Sequence, residues 1–140
     1  MAIYTTDQIH TLIPQRPPMV MIDSVLEATP LTITTTLSIR EDNILVDNGL
    51  FTEAGLIENI AQTAAAMNGC EARQRGEQPK LGFIGEVKNF VCHRLPCVGD
   101  TIRTSLTTLA SMAGVTLVEA QTTCNHQPIA QAQLKIFISE

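Results

Sequence analysis

The chain has no tryptophan, a single tyrosine and only four phenylalanines among its 140 residues. Its core must therefore be assembled from Ile, Leu, Val, Met and Ala. Charge is also scarce: Asp, Glu, Lys and Arg make up 16% of the residues, against about a quarter in ordinary soluble domains. So low a charge density on a small domain predicts that some surface is covered by another subunit. The formal net charge is −5, which leaves no strongly basic surface for nonspecific nucleic-acid binding. No window approaches the roughly 18 consecutive apolar residues of a membrane span. The start, Met1 to Asp7, lacks the basic region and apolar run of a secretory leader, so a cytoplasmic location is expected. Cys70, Cys92, Cys97 and Cys124 form no C-x-x-C pair, which argues against a zinc ribbon or a redox motif. They read as reduced, buried thiols. Nothing calls for a metal or a cofactor.

What is present suits one domain over residues 1–140, an ordinary domain size, with 44% hydrophobic residues. Ile9, Leu12 and Ile13 fall at helical spacing over Asp7 to Ile13, with Thr6 as a candidate N-cap. Pro14, Pro17 and Pro18 then force an extended path. Met19 to Ala28 and Leu31 to Ile39 read as strands, parted at Pro30. Asp42-Asn43 and Asp47-Asn48-Gly49 are turn clusters. The longest helical pattern runs from about Thr52 to Arg75, with an apolar stripe through Leu56, Ile57, Ile60, Ala61, Ala64, Ala65 and Met67. Roughly 20 helical residues would span about 30 Å, the width of a small domain. Its many small residues suit a helix lying inside a curved sheet. Gly76 ends it and Pro79 guards the exit.

Four further strands are expected at Leu81–Cys92, Thr101–Met112, Val115–Cys124 and Ile129–Ile138, joined by short links as an antiparallel meander. The fold class is therefore α+β, one antiparallel sheet wrapped around one long helix. An open sheet leaves two edges, and edge pairing into a dimer is a natural way to cover one.

Three segments carry a resemblance to a known family. Ile9 to Asp23 (IHTLIPQRPPMVMID) is similar, without a gap, to the opening "I-x-x-L-L-P-H-R-Y-P-F-L-L-V-D" of the hot-dog-fold 3-hydroxyacyl-acyl-carrier-protein dehydratases. Leu56-Ile57-Glu58-Asn59-Ile60-Ala61-Gln62 resembles that family's "L-I-L-E-A-M-A-Q" on the central helix. Gly85 through Lys88 to Pro96 and Gly99-Asp100 is similar to the strand ending in "P-V-x-P-G-D". Within the group the likeness is nearest to the dehydratase-like proteins of aryl polyene biosynthesis, on Cys92-His93 and on the motif-poor loop before the helix.

Dehydrating a 3-hydroxyacyl thioester means removing an α-proton while a poor leaving group departs. The thioester oxygen must be stabilised as charge moves onto it. The N-terminus of the long helix, near Gly49 to Gly55, has unpaired N–H groups for that purpose, and its glycines allow close approach. A base and an acid complete the chemistry. The resemblance places the acid at Glu58, although a charged residue merely bonded to Gln62 one turn later is the plainer reading. The family's base, a His in the loop before the helix, is absent: Val46 to Gly55 stands where "G-H-F-P-x-x-P-x-x-P-G" is expected. His93 is the replacement candidate, since alternation puts it on one face with Val87, Asn89 and Val91. A hydrogen-bonded His at a strand end beside Arg94 is the competing reading. Asp47 is a conceivable substitute, though Asp-Asn-Gly is more often a turn. Cys92 or Cys97 could pair with His93, but inert thiols fit better.

Gly49, Gly55, Gln62, Gly85 and Arg16 are the candidate substrate-binding residues. Lys80, Lys88, Arg94 and Arg103 could join Arg16 in a basic patch. The partners the resemblance implies are an acyl carrier protein with a 4′-phosphopantetheine-linked acyl chain and a second hot-dog subunit. That subunit would be another copy in a homodimer or higher homo-oligomer, or a different chain in a heterodimer. The function expected is that of a dehydratase or dehydratase-like protein. The alternatives are a non-catalytic acyl-binding partner subunit and a hot-dog acyl thioesterase using Glu58 or Asp47.

Overall fold

The computed structural model describes residues 1–78 and 82–138, so Pro79, Lys80 and Leu81 lie outside it. A 3-10 helix, Thr6–Thr11, opens the chain. It ends before the expected Ile13, and its cap is Thr5 rather than Thr6. The Thr5 backbone N–H donates to Gln8 Oε1 at 3.0 Å, the reciprocal half of a capping box. Strands β1 (Ser24–Ala28) and β2 (Thr32–Ser38) follow, then two short strands, β3 (Val46–Asp47) and β4 (Leu50–Phe51). Helix α1 spans Glu53–Gln74, capped by Thr52, whose hydroxyl accepts from the Gly55 N–H at 3.2 Å. Strands β5 (Gly82–Cys92), β6 (Thr101–Met112), β7 (Val115–Cys124) and β8 (Gln127–Ile138) complete the chain. No helix among the described residues is long and apolar enough to cross a membrane.

The long strands form one antiparallel sheet in the order β1-β2-β6-β7-β8-β5. The expected meander holds only for β6, β7 and β8. Their links are two-residue turns with positive φ at Ala113-Gly114 and Asn125-His126, the geometry that matches strand twist. β5 does not pair with β6; it lies beside β8 at the sheet edge. The segment between β5 and β6 is no hairpin. It is tied first to the β3–β4 hairpin, by Phe51 N–H to Pro96 O at 2.8 Å and Val98 N–H to Gly49 O at 3.0 Å. Then Gly99 N–H bonds Ile39 O at 2.9 Å, which hands the chain to β2, where β6 begins.

β1 is shorter than the Met19–Ala28 strand expected. Met19 to Met21 lies outside the sheet: Met19 N–H closes a turn on Arg16 O at 2.9 Å, while Gln62 Oε1 accepts from Met21 N–H at 2.6 Å and Asn59 Nδ2 donates to Met21 O at 2.7 Å. A backbone satisfied by side-chain amides needs no neighbouring strand. This strap and the sheet enclose α1, whose inner side buries Leu56, Ile60, Ala66 and Cys70 against Ile33, Leu106, Val118 and Leu134 among others. Close approach is enforced at Gly69, where a Cβ would stand 2.0 Å from Leu12 O. The expectation of buried thiols holds for Cys70 and Cys124, but Cys92 is half-buried and Cys97 exposed. Cys92 is the last residue of β5 and packs at the rim of the core, and Cys97 lies in the segment that follows.

Candidate active site

Two sides of α1 have different surroundings. Facing the sheet and the strap, Asn59, Gln62 and Thr63 are fully buried, together with Thr35, Thr104 and Thr122. Burying so many polar groups is tolerable only if they are bonded. Thr104 Oγ1 donates to Asn59 Oδ1 at 2.6 Å and meets Thr122 at 2.9 Å, while Thr63 meets Thr35 at 2.8 Å. For Asn59 the signal in the sequence is a polar residue between Leu56 and Ile60 in an apolar stripe.

The other side is open. Glu58, Ala61, Ala65 and Asn68 wall a groove of about 1110 Å³, which also reaches Gly82 and Ile84 of β5, Ile136 of β8 and the segment before Arg16. Glu58 is half-buried there, and Gln62 Nε2 donates to its Oε2 at 2.8 Å. The same nitrogen donates to Met19 O at 2.7 Å. Both amide protons of Gln62 are thus engaged, and its carbonyl holds Met21. Gln62 orients the carboxylate and has no donor left for a ligand.

At the start of α1 the β3–β4 hairpin turns through Asn48 and Gly49, at φ 52° and 77°. Gly49 is required by that turn. Gly55 lies under the ring of the buried Phe51, whose Cε1 would be 2.6 Å from an added Cβ. Because Thr52 takes the Gly55 N–H, the N–H groups of Glu53 and Ala54 are the first-turn donors that the cap leaves over.

His93 is exposed just past β5, and its backbone N–H donates to Ile129 O at 2.7 Å. The expected shared face with Val87, Asn89 and Val91 does not form. Asn89 sits at φ 54° in a β-bulge, and the register shifts between Lys88 and Val91. Val87 is opposite buried Leu134, whereas Val91 is opposite exposed Gln131, so the two point to opposite faces. Within one chain His93 does not line the Glu58 groove.

Gly85 is a second bulge on β5, covered by Phe137, whose Cε2 would be 1.9 Å from an added Cβ. Arg16 is exposed; its Nη1 donates to Ile13 O and Gln15 O, both at 2.9 Å, and it lines the groove's rim. Lys88 lies 3.6 Å from Glu86 and Arg94 3.9 Å from Asp100, so both are partly neutralised. Arg103 is exposed on the outer side of the sheet. Asp47 is exposed on the hairpin and does not line the Glu58 groove. Burial raises the Cys92 thiol pKa, and the hydrogen bond to Asp100 raises that of Cys97. Neither is poised as a thiolate nucleophile. Among the described residues no cluster of His, Cys, Asp and Glu could hold a metal ion.

One antiparallel sheet packed on a single long helix is the architecture of the hot-dog-fold proteins, and the family match places the chain in their dehydratase class. The chain belongs to the ApeP-like family of ApeP dehydratases, whose sequence model matches residues 7–140. By that membership it is a dehydratase or dehydratase-like protein, and neither the passive-subunit nor the thioesterase alternative is favoured. Among solved structures it is similar to the dehydratase heterocomplex ApeI:P from Xenorhabdus doucetiae, with TM-score 0.85 and 17% identity over 94% of this chain and 91% of that one. A sigma28-regulated virulence protein from Campylobacter jejuni matches with TM-score 0.73 and 11% identity, over 96% and 89% of the two chains. A hypothetical thioesterase with coenzyme A from Streptococcus pneumoniae matches with TM-score 0.67 and 8% identity, over 96% and 97%. At such identities these likenesses concern the fold. No curated protein sequence gives a significant match.

Proposed function

We propose that the chain removes water from a 3-hydroxyacyl thioester carried on the 4′-phosphopantetheine arm of an acyl carrier protein, as one subunit of a hot-dog dimer. The carrying observation is the Glu58 carboxylate, with one oxygen anchored by Gln62 on the wall of an open groove. In the elimination a base takes the α-proton, and the electrons of that C–H bond form the new double bond. The C3–O bond breaks, and the hydroxyl leaves as water with a proton from the acid. Glu58 is the acid and His93 the base, while the free N–H groups at the start of α1 stabilise charge on the thioester oxygen.

Support for His93 comes from its neighbourhood. The segment that follows it is bonded to the hairpin before α1, at Phe51 and Gly49, so His93 sits toward the helix's N-terminal end. Gly49 and Gly55 shape the backbone there, Arg16 lines the rim, and Gln62 and Gly85 act through Glu58 and through the course of β5. The dimer partner is a second copy or, as the X. doucetiae heterocomplex suggests, a different hot-dog chain.

The test is ultraviolet detection of enoyl product from 3-hydroxyacyl thioesters on a carrier protein. Wild type should form it, and Glu58→Gln should not. Binding without product, from every 3-hydroxyacyl chain tried, would sink the catalytic reading. Release of free thiol would point to a thioesterase instead.

A further inference from the structure

The chain holds six asparagines, and two of them, Asn48 and Asn68, are followed by glycine. Asn-Gly is the dipeptide most prone to cyclise, because glycine puts no side chain over its backbone nitrogen. The fold treats the two in opposite ways. Asn48 is exposed at the tip of the β3–β4 hairpin, and among the described residues no hydrogen bond holds its side chain. Gly49 beside it stands in open space, since an added Cβ would meet nothing within 4 Å. Asn68 and Gly69 lie within α1, where the added Cβ would be 2.0 Å from Leu12 O. We infer that Asn48 is a site of spontaneous modification: it cyclises onto the Gly49 nitrogen and opens to aspartate or isoaspartate. The isoaspartate form releases the segment after His93 from the hairpin.

In the first step the Gly49 nitrogen loses its proton and bonds to Asn48 Cγ, while the Cγ–Nδ2 bond breaks. The side-chain nitrogen leaves as ammonia with that proton, and a five-membered imide remains in the chain. Water then opens either imide C–N bond. Opening at Cγ leaves aspartate; opening at the backbone carbonyl leaves isoaspartate, with the chain running through the side-chain carbon. Because an amide proton must come off, the step is faster in alkaline solution.

Cyclisation needs the turn to leave its native shape, in which Asn48 and Gly49 sit at φ 52° and 77°. β3 and β4 pair only Val46 with Phe51 and Asp47 with Leu50. So short a hairpin opens locally at small cost, whereas the same reaction at Asn68 requires α1 to unwind inside the core. Asn43 and Asn59 precede isoleucine, and hydrogen bonds hold both ends of each side-chain amide.

The two products differ in what they do to the fold. Asp-Gly suits a two-residue turn as Asn-Gly does, so aspartate leaves the hairpin intact. Isoaspartate adds a backbone carbon to the turn, and the β3–β4 register no longer closes. On that register hang the bonds of Val98 N–H to Gly49 O and of Phe51 N–H to Pro96 O, and the bridge between Leu50 and Cys97.

The test is to age the full-length protein in neutral and in alkaline buffer and then digest it with trypsin. One peptide, Glu41 to Arg73, carries both Asn-Gly pairs, and fragment masses assign the amide-to-acid exchange to either. In the folded chain Asn48 should exchange at least roughly tenfold faster than Asn68, and in urea the two should react alike. A carboxyl methyltransferase specific for isoaspartate should label aged wild type and leave Asn48→Gly, aged alongside, unlabelled. An intact Asn48 after ageing, or equal rates at both sites in the folded chain, would overturn the assignment.

Amide hydrogen exchange on the two products, separated by ion exchange, reads the consequence. The isoaspartate form should lose protection at Phe51 and Val98, while the aspartate form and Asn48→Asp should keep it. Equal protection in both forms would overturn the release of the segment. None of these readouts uses the elimination, so a failure of the catalytic reading leaves the modification standing.

Discussion

Glu58 and Asn59 are neighbours in the chain and meet different surroundings. Asn59 is fully buried, with its amide donating to Met21 O and its carbonyl accepting from Thr104, so it stitches helix to strap and sheet. Glu58 points the other way, into a groove walled by small side chains, with one oxygen held by Gln62. On the sealed side every polar group is spent on another part of the chain. On the open side the acid keeps an oxygen for something the chain does not contain. A helix can serve as core and as site because its residues face different surroundings every turn.

That contrast can be broken from either side. The largest effect expected is on the open side: Glu58→Gln should lower the elimination rate by about 10²–10⁴-fold, or roughly 3–5 kcal/mol in the barrier. The melting temperature should stay near wild type, and a large loss of stability would show that Glu58 belongs to the core. Next is the tightest contact of the sealed side. Gly69→Val must push α1 away from Leu12 O, where even a Cβ would stand 2.0 Å away. A loss of about 3 kcal/mol or more in a urea titration is expected, and an unchanged midpoint would refute the contact. Asn59→Leu leaves Met21 O and Thr104 without their partner and should cost about 1–3 kcal/mol. Its effect on turnover should follow folded fraction alone, whereas Gln62→Leu should lower kcat beyond that fraction because Glu58 loses its anchor.

The smallest effect concerns pH. Burial pushes the Cys70 thiol up to about 11, so the folded state keeps a proton that the unfolded chain gives up nearer 9. Between those values the folded state binds more protons, and stability falls as pH rises. Below about pH 9 the contribution is fully present. Thermal melts across that window should decline more gently in Cys70→Ala than in wild type.

How much of this was legible in the sequence depended on how local each signal was. The helix from Thr52 to Arg75 was visible from a 3.6-residue period, a capping Thr and a terminal Gly, all carried within the segment. β6 and β7 were bounded by turn residues that act on their own backbone. The motif around Glu58 and Gln62 marked the central helix of the fold. The strand before Ser24 was misread because Met19 to Met21 is held off the sheet by hydrogen bonds to Gln62 and Asn59, some forty residues away. The face of His93 was misread because alternation assumes an unbroken pleat, and one left-handed residue at Asn89 reverses it.

The sequence by itself determined the α+β class, the single long helix with its apolar stripe and most strand boundaries, since each rests on side-chain chemistry within a turn or two of chain. Only the tertiary structure decided that β5 leaves the meander for the sheet edge beside β8, that Gln62 is buried and holds Glu58, and that His93 is apart from Glu58 within one chain. Those outcomes depend on contacts between segments far apart in sequence, where a bulge or a loop tied to a distant hairpin redirects everything after it.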